Sequence, residues 1–295
     1  MYLESMVLGF PDYHLQAKNL AHLLQIDYAE VEVHRFPDSE SNLRLPVDLP
    51  STLIICRSLN CPNDKLVELF FTVKTARDKG CEKIILVAPY LCYMRQDKAF
   101  EPGEVVSQRM VGKFLSGLVD EVITVDPHLH RVKKLDDVIK TKRTVTLSAA
   151  PLLGNFIALQ VSEPLIVGPD EESAQWVKQV AEPHGFDYLI GEKTRHSDRE
   201  VDIVLPELDI ERRNIVLVDD MASTGKTLKN ATTQLRALGV KNIYCVVTHA
   251  LFVENAYNEL LEAGVKEIWS TDSLTHSSNC ISLALLLSKA IQLDN

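Results

Sequence analysis

Residues Asn214–Leu228, reading NIVLVDDMASTGKTL, join two adjacent carboxylates to a loop of small residues and then to Lys226–Thr227. Ile215–Val218 is a short apolar run bounded by charge, which suits a central strand of a parallel sheet and predicts a strand ending at Val218. Leu228, Leu235 and Leu238 fall near helical spacing, so a helix should follow the loop. Backbone N–H groups of such a loop, with the helix N-terminus, form a cradle for phosphate. Asp219 and Asp220, at the strand's carboxyl end, can accept hydrogen bonds from sugar hydroxyls. Phosphate on one side and hydroxyls on the other describe a sugar phosphate. Gly225–Lys226–Thr227 also ends like a P-loop, but that motif needs glycine where Asp220 stands. The remaining alternative is an ordinary βα turn, because acidic and small residues are common helix-capping material.

Four further clusters could act on the same ligand. Phe36–Glu40, FPDSE, sets Asp38 and Glu40 behind an aromatic on which a purine can stack; a solvated loop with a core Phe is the alternative. In Ala88–Asp97, APYLCYMRQD, Arg95 offers a planar donor fork for phosphate and Gln96 can read a base edge. In Val125–His130, VDPHLH, the two histidines would share a face if the segment is extended. A structural zinc site would need two more good ligands that no C-x-x-C element supplies. A Mg²⁺ bridging phosphates needs only one or two protein ligands, for which His128 and Asp170 suffice. Finally, Lys193 and Arg195 in EKTRHSDREV alternate along an extended segment, a cationic strip that could close over a transferring diphosphoryl group.

The elements that must position these clusters recur along the chain. Apolar runs at Leu53–Cys56, Ile84–Ala88, Val122–Val125, Leu165–Val167, Ile215–Val218 and Tyr244–Val247 alternate with helical stretches at Lys65–Lys79, Val106–Leu118, Glu172–Glu182 and Leu228–Leu238. This alternation predicts an α/β protein with parallel sheets, whose ligands gather at strand carboxyl ends. The 295 residues accommodate two domains: 1–146, with a terminal helix near 281–295 packing back on it, and 147–280. A hydrophobic content of 46% excludes disorder as the default, and a net charge of −10 argues against a broad nucleic-acid-binding surface. No apolar run reaches the length of a membrane span, and the acidic start is unlike a signal peptide, so no membrane association is expected. The six cysteines lack metal or redox spacing and several sit in apolar runs, which suits a reducing, cytoplasmic compartment.

The sugar-phosphate loop resembles that of type I phosphoribosyltransferases and ribose-phosphate diphosphokinases. The order FPDSE, PYLCYMRQDK, VDPHLH, GPDEES, EKTR, VDDMASTGKT and THALF resembles the diphosphokinases over nearly the whole chain, with spelling closer to the archaeal-type branch. The resemblance implies two phosphoribosyltransferase-like domains with a site in the cleft between them. It implies transfer of the diphosphoryl group of Mg·ATP to the 1-hydroxyl of ribose 5-phosphate. It assigns Phe36, Asp38, Glu40, Arg95, Gln96 and Asp97 to ATP, and Asp219, Asp220, Ala222, Ser223, Thr224, Gly225 and Thr227 to ribose 5-phosphate. His128 and Asp170 match Mg²⁺-associated positions, and Lys193 and Arg195 match catalytic cations of a lid. It further implies a homo-oligomer, at least a dimer, with the ATP site shared between subunits. Two positions depart from the pattern: Glu171–Glu172–Ser173 replaces a glycine-rich diphosphate loop, and Pro127 replaces a leucine. A phosphoribosyltransferase or a catalytically silent regulatory homologue are the alternative readings.

Overall fold

The computed structural model describes residues 4–129, 131–195, 201–204 and 212–293, and the side chains of 192–195 and 201–204 are not among what it describes. The chain divides into two compact units, 1–147 with 283–295, and 148–282.

In the first unit the elements are β1 (Ser5–Gly9), α1 (His14–Leu24), β2 (Asp27–Glu30), β3 (Glu32–Arg35), β4 (Ser41–Arg44), β5 (Thr52–Cys56), α2 (Pro62–Asp78), β6 (Lys83–Val87), α3 (Ser107–Ser116), β7 (Glu121–Val125) and β8 (Arg143–Leu147). Six strands form one sheet in the order β2-β1-β5-β6-β7-β8, every pair parallel. Leu53, Ile54, Ile55 and Cys56 are all fully buried, as strands covered on both faces require. β3 and β4 stand apart as an antiparallel hairpin.

The second unit contains α4 (Ala150–Gln160), β9 (Pro164–Gly168), α5 (Ala174–Ala181), β10 (Asp187–Ile190), β11 (Glu192–Arg195), β12 (Val201–Val204), β13 (Asn214–Ala222), α6 (Lys226–Ala237), β14 (Asn242–Ala250), α7 (Ala256–Ala263), β15 (Glu267–Thr271) and β16 (Asn279–Ile281). Its six-stranded sheet, β10-β9-β13-β14-β15-β16, is again parallel throughout. Alternation along β13 divides the core: Ile215 and Leu217 pack with α6 and α7, while Val216 and Val218 pack with α4 and α5. After β16 the chain returns to the first unit as α8 (Ala284–Ala290), which packs on α1; Arg143 Nη2 donates to Ala290 O at 2.8 Å.

The two sheets repeat one plan. In each, a hairpin follows the edge strand, β3–β4 after β2 and β11–β12 after β10. The link into the hairpin is the same: Val31 N donates to Gly9 O at 2.9 Å, and Gly191 N to Gly168 O at 2.9 Å. Gly9 lies opposite Cys56, and Val167 lies opposite Leu217, so the next step sets Gly168 beside Val218. Arg57 and Asp219, which come next on β5 and β13, therefore hold equivalent positions. Asp12 and Asp170 are the first acidic residues after β1 and β9, one position out of step with each other.

Close packing at the ends of β1 and β9 explains the glycines there. A Cβ on Gly168 would collide with Ser173 Oγ and stand 2.8 Å from Val177 Cγ2. Gly168→Ala is expected to lower stability by about 1–3 kcal/mol through overpacking, read as a lower midpoint in denaturant unfolding. An unchanged midpoint would show that the α5 start yields freely.

Candidate active site

β13 does not stop at Val218. It continues through Asp219, Asp220 and Met221 to Ala222, because β14 runs on beside it, pairing Asp219 with Val247, Met221 with His249 and Ala222 with Ala250. The expectation that the strand ends at Val218 is thus corrected: the carboxylates, Met221 and Ala222 belong to the strand, where the ladder fixes them. Asp220 is 1% exposed and Asp219 half-buried, and Asp220 N donates to Asp219 Oδ1 at 2.9 Å. Desolvation, then the charges of Asp220 and Asp170, push the Asp219 carboxyl well above the usual carboxylate range.

The loop is short and clamped from the side by the chain after β14. Phe252 N donates to Ala222 O at 2.8 Å and Val253 N to Ser223 O at 3.1 Å. The Ala222 side chain is part of the core, so only its backbone can meet a ligand. Gly225 then turns with φ +67°, left-handed backbone that favours glycine, and stands at the N-cap of α6. No side chain caps this helix. Its first-turn N–H groups therefore point toward the loop formed by half-buried Ser223 and exposed Thr224, with half-buried Thr227 inside the turn. A helix N-terminus of this kind holds an anion.

Asp170 is 6% exposed and begins a single 3₁₀ turn, Glu171–Ser173. Its Oδ1 accepts from Glu172 N at 3.1 Å and Ser173 N at 3.3 Å, while Ser173 Oγ donates back to Asp170 O at 2.5 Å. Glu171 and Glu172 are exposed. The carboxylates Asp170, Asp219 and Asp220 are therefore gathered at one sheet edge, close enough for their charges to act on one another. At the equivalent place in the first unit an arginine intervenes: Arg57 Nε donates to Asp12 Oδ1 at 2.9 Å.

In the first unit, Phe36–Glu40 forms the tip of the β3–β4 hairpin. Phe36 N donates to Glu40 O at 2.8 Å, Ser39 N to Phe36 O at 2.9 Å, and Glu40 N to Asp38 Oδ1 at 3.2 Å. Phe36 is not a core residue; it is 42% exposed and meets the His34 ring edge to face, with ring centroids 4.8 Å apart. Arg95 is exposed, and Gln96 Oε1 accepts from Ser107 Oγ at 2.5 Å. Asp97 is buried and accepts from Arg131 Nη1 at 2.6 Å and Arg131 N at 3.3 Å. Burial would raise this carboxyl, but the Arg131 donors outweigh it and hold it below the usual range. Asp97 thus fastens the segment that follows His128.

His128 has φ +49° and Asp126 φ +38°, so the segment is bent rather than extended, and the expectation of an alternating histidine pair is corrected. His130 lies outside the described residues. Lys193 and Arg195 stand on β11, paired opposite Ile203 and Val201, and their side chains lie outside the described residues. Sequence reading missed Arg131 and Ser107, whose roles come from contacts across loops. No group of three or more metal-ligating side chains is found among the described residues, so any cation here would keep other ligands.

Paired parallel sheets, each with a hairpin beyond its edge strand, with strand-borne carboxylates before an uncapped helix N-terminus in the second, define a tandem of phosphoribosyltransferase-like domains. Residues 6–118 match the model for the N-terminal domain of ribose phosphate pyrophosphokinase, and residues 137–286 match the phosphoribosyl transferase domain. A ribose-phosphate pyrophosphokinase of Methanopyrus kandleri is 38% identical over 278 residues, covering 93% of this chain and 94% of the relative. One from Methanosarcina acetivorans is 33% identical, covering 97% and 99%. The chain belongs to the ribose-phosphate pyrophosphokinase family. Its fold matches the crystal structure of phosphoribosylpyrophosphate synthetase from Mycobacterium smegmatis with a TM-score of 0.83, at 22% identity and 97% coverage of each chain.

The raised Asp219 pKa has a defined sign. Below the unfolded-state value both states are protonated and nothing is lost; as pH rises toward the folded value the native state holds the extra proton and stability falls. Asp219→Asn is therefore expected to raise the ligand-free melting temperature at neutral pH, by roughly 2–4 °C per kcal/mol relieved. The gain should vanish near pH 3, and a gain that persists there would refute the electrostatic cause.

Proposed function

We propose that this chain transfers the β,γ-diphosphoryl group of Mg·ATP to the 1-hydroxyl of ribose 5-phosphate, releasing AMP and 5-phosphoribosyl 1-diphosphate for nucleotide biosynthesis. The observation that carries the reading is the Asp219–Thr227 segment: carboxylates fixed on a strand, followed by a left-handed glycine at an uncapped helix N-terminus. The helix end and Ser223–Thr227 receive the 5-phosphate, and Asp219 and Asp220 receive the ribose hydroxyls. Family membership supports the same substrates, since its named relatives are ribose-phosphate pyrophosphokinases.

Phosphoryl transfer asks a protein mainly for positioning and charge stabilisation, so no covalent nucleophile is required. Phe36 stacks on adenine, Asp38 and Glu40 accept from adenine or ribose, and Arg95 and Gln96 meet the nucleotide and its phosphates. Asp97 acts through Arg131. Lys193 and Arg195 neutralise charge that spreads over the diphosphoryl oxygens in the transition state.

The residues present fit a magnesium ion. The charges of Asp170 and Asp220 act on Asp219 where the first unit supplies the guanidinium of Arg57, and a cation would offset them. Asp170, with Asp219 or Asp220, would hold it there, and His128 is the other position that the family resemblance assigns to Mg²⁺. Bound there, Mg²⁺ would supply Lewis-acid charge stabilisation to the diphosphoryl group. The exposed tip at Phe36 supports a homo-oligomer in which the tip serves a neighbouring subunit. No helix among the described residues is long and apolar enough to cross a membrane, and all six cysteines are unpaired, in keeping with a cytoplasmic enzyme. The domain boundary we assign falls near 147, with the C-terminal helix belonging to the first domain.

Incubation with Mg²⁺, inorganic phosphate and ATP should yield AMP only when ribose 5-phosphate is added; no such release would sink the reading. Lys193→Ala should lower kcat by roughly 10²–10³-fold while moving KM for ribose 5-phosphate less than about threefold. Mixing Phe36→Ala with Lys193→Ala subunits should restore part of the activity, whereas no recovery after subunit exchange would place both groups in one chain's site.

A further inference from the structure

The tip that carries Phe36, Asp38 and Glu40 is held by a buried carboxylate on a different element. Along the hairpin, Val33 pairs with Leu43 and Arg35 with Ser41, the last rung before the tip. These rungs share one face, since residues two apart on a strand point the same way. Val33 and Leu43 pack against the core of the first unit, and the next rung on that face turns to Glu68 of α2. Ser41 Oγ donates to Glu68 Oε1 at 2.8 Å and Arg35 Nη2 donates to the same oxygen at 3.3 Å; Arg35 Nη1 also pairs with Asp64 at 2.8 Å.

Glu68 is fully buried, and its second oxygen lies 2.7 Å from Arg57 Nη1. Arg57 is itself 5% exposed and anchored to the sheet: its N–H donates to Val87 O at 3.0 Å, its Nε reaches Asp12, and its guanidinium stacks 4.0 Å from the centre of the Phe10 ring. Lys65 completes the cluster at 2.6 Å from Asp12. The equivalence between the units sharpens the point. Arg57 stands where Asp219 stands in the second unit, and Cys61, with φ +48° at the N-cap of α2, stands in for Gly225. The first unit has filled its own cradle with side chains. What that cradle now grips is the hairpin.

We propose that Glu68, through Arg35 and Ser41, is a positioning residue for nucleotide binding, fixing where the Phe36–Glu40 tip stands; this rests on the nucleotide role proposed above for that tip. A buried charge needs a compensating partner, so the cluster resists rearrangement, and pulling the distal rung from Glu68 would leave a charged carboxylate short of donors. The apolar rung Val33–Leu43 keeps the hairpin's base in place when the polar rung is removed, so loss of the rung frees the tip without unfolding the unit.

The test uses the full chain with Arg35→Ala/Ser41→Ala, and separately Glu68→Gln, which keeps an acceptor for Ser41 but not the charge that holds Arg35. ATP affinity is measured by equilibrium titration without ribose 5-phosphate, alongside both KM values, kcat and the melting temperature. The double variant is expected to weaken ATP binding and raise KM for ATP about tenfold, while KM for ribose 5-phosphate and kcat move less than about twofold and melting is nearly unchanged. Glu68→Gln should fall between it and the unmodified chain. Unaltered ATP affinity in a folded double variant, or equal increases in both KM values, would overturn the proposal. Should the unmodified chain bind ATP but release no AMP, the proposed reaction fails while the ATP titration still decides the positioning role.

Discussion

Parallel pairing on both sides of β13 is the constraint from which the second unit's site follows. Its ladders to β9 and β14 leave the strand no freedom to slip, because one step of register would exchange the residues facing α4 and α5 with those facing α6 and α7. Asp219 and Asp220 inherit that rigidity. They are presented at a fixed depth at the carboxyl edge, beside the Asp170 turn of β9 and before the helix end at Gly225. A parallel sheet sends all its strands to the same edge, so three loops meet there without any of them being long.

The internal repeat shows how one plan serves opposite ends. Where the second unit sets Asp219 near Asp170, the first sets Arg57 on Asp12. The first pairing is closed: opposite charges meet, the Phe10 ring covers the guanidinium, and Lys65 and Glu68 extend the cluster inward. The second brings like charges together, and these push the Asp219 carboxyl up. The hairpins follow the same division. Both leave their sheet beyond the edge strand after the same backbone hydrogen bond, one carrying an aromatic and two carboxylates at its tip, the other carrying Lys193 and Arg195 on its first strand.

Much of this was legible in the residues, and the gaps have physical causes. The apolar runs marked the central strands because those are buried on both faces, and the family order of motifs carried the two-domain α/β plan. Edge strands such as Asp27–Glu30 and Asp187–Ile190 escaped because they are short and half exposed, with little periodicity to read. The extension of β13 to Ala222 escaped because adjacent aspartates look like a strand's end, and only the partner strand shows otherwise. Glu68 carries no signal of its own within the Lys65–Lys79 helical stretch; its burial depends on Arg35, Ser41 and Arg57, which converge from three separate elements. Asp97 had the right type and place for a ligand contact, yet its oxygens are taken by Arg131.

Should a dication bind beside Asp219 as proposed, the Asp219 carboxyl, pushed well above the usual range by burial and like charge, would couple cation loading to proton release. Loading the site would then acidify an unbuffered solution, and cation affinity would weaken as the medium becomes more acidic. The heat of loading, measured in buffers of different ionisation enthalpy, would change with the buffer, and the slope of that change would count the protons that the open cradle releases.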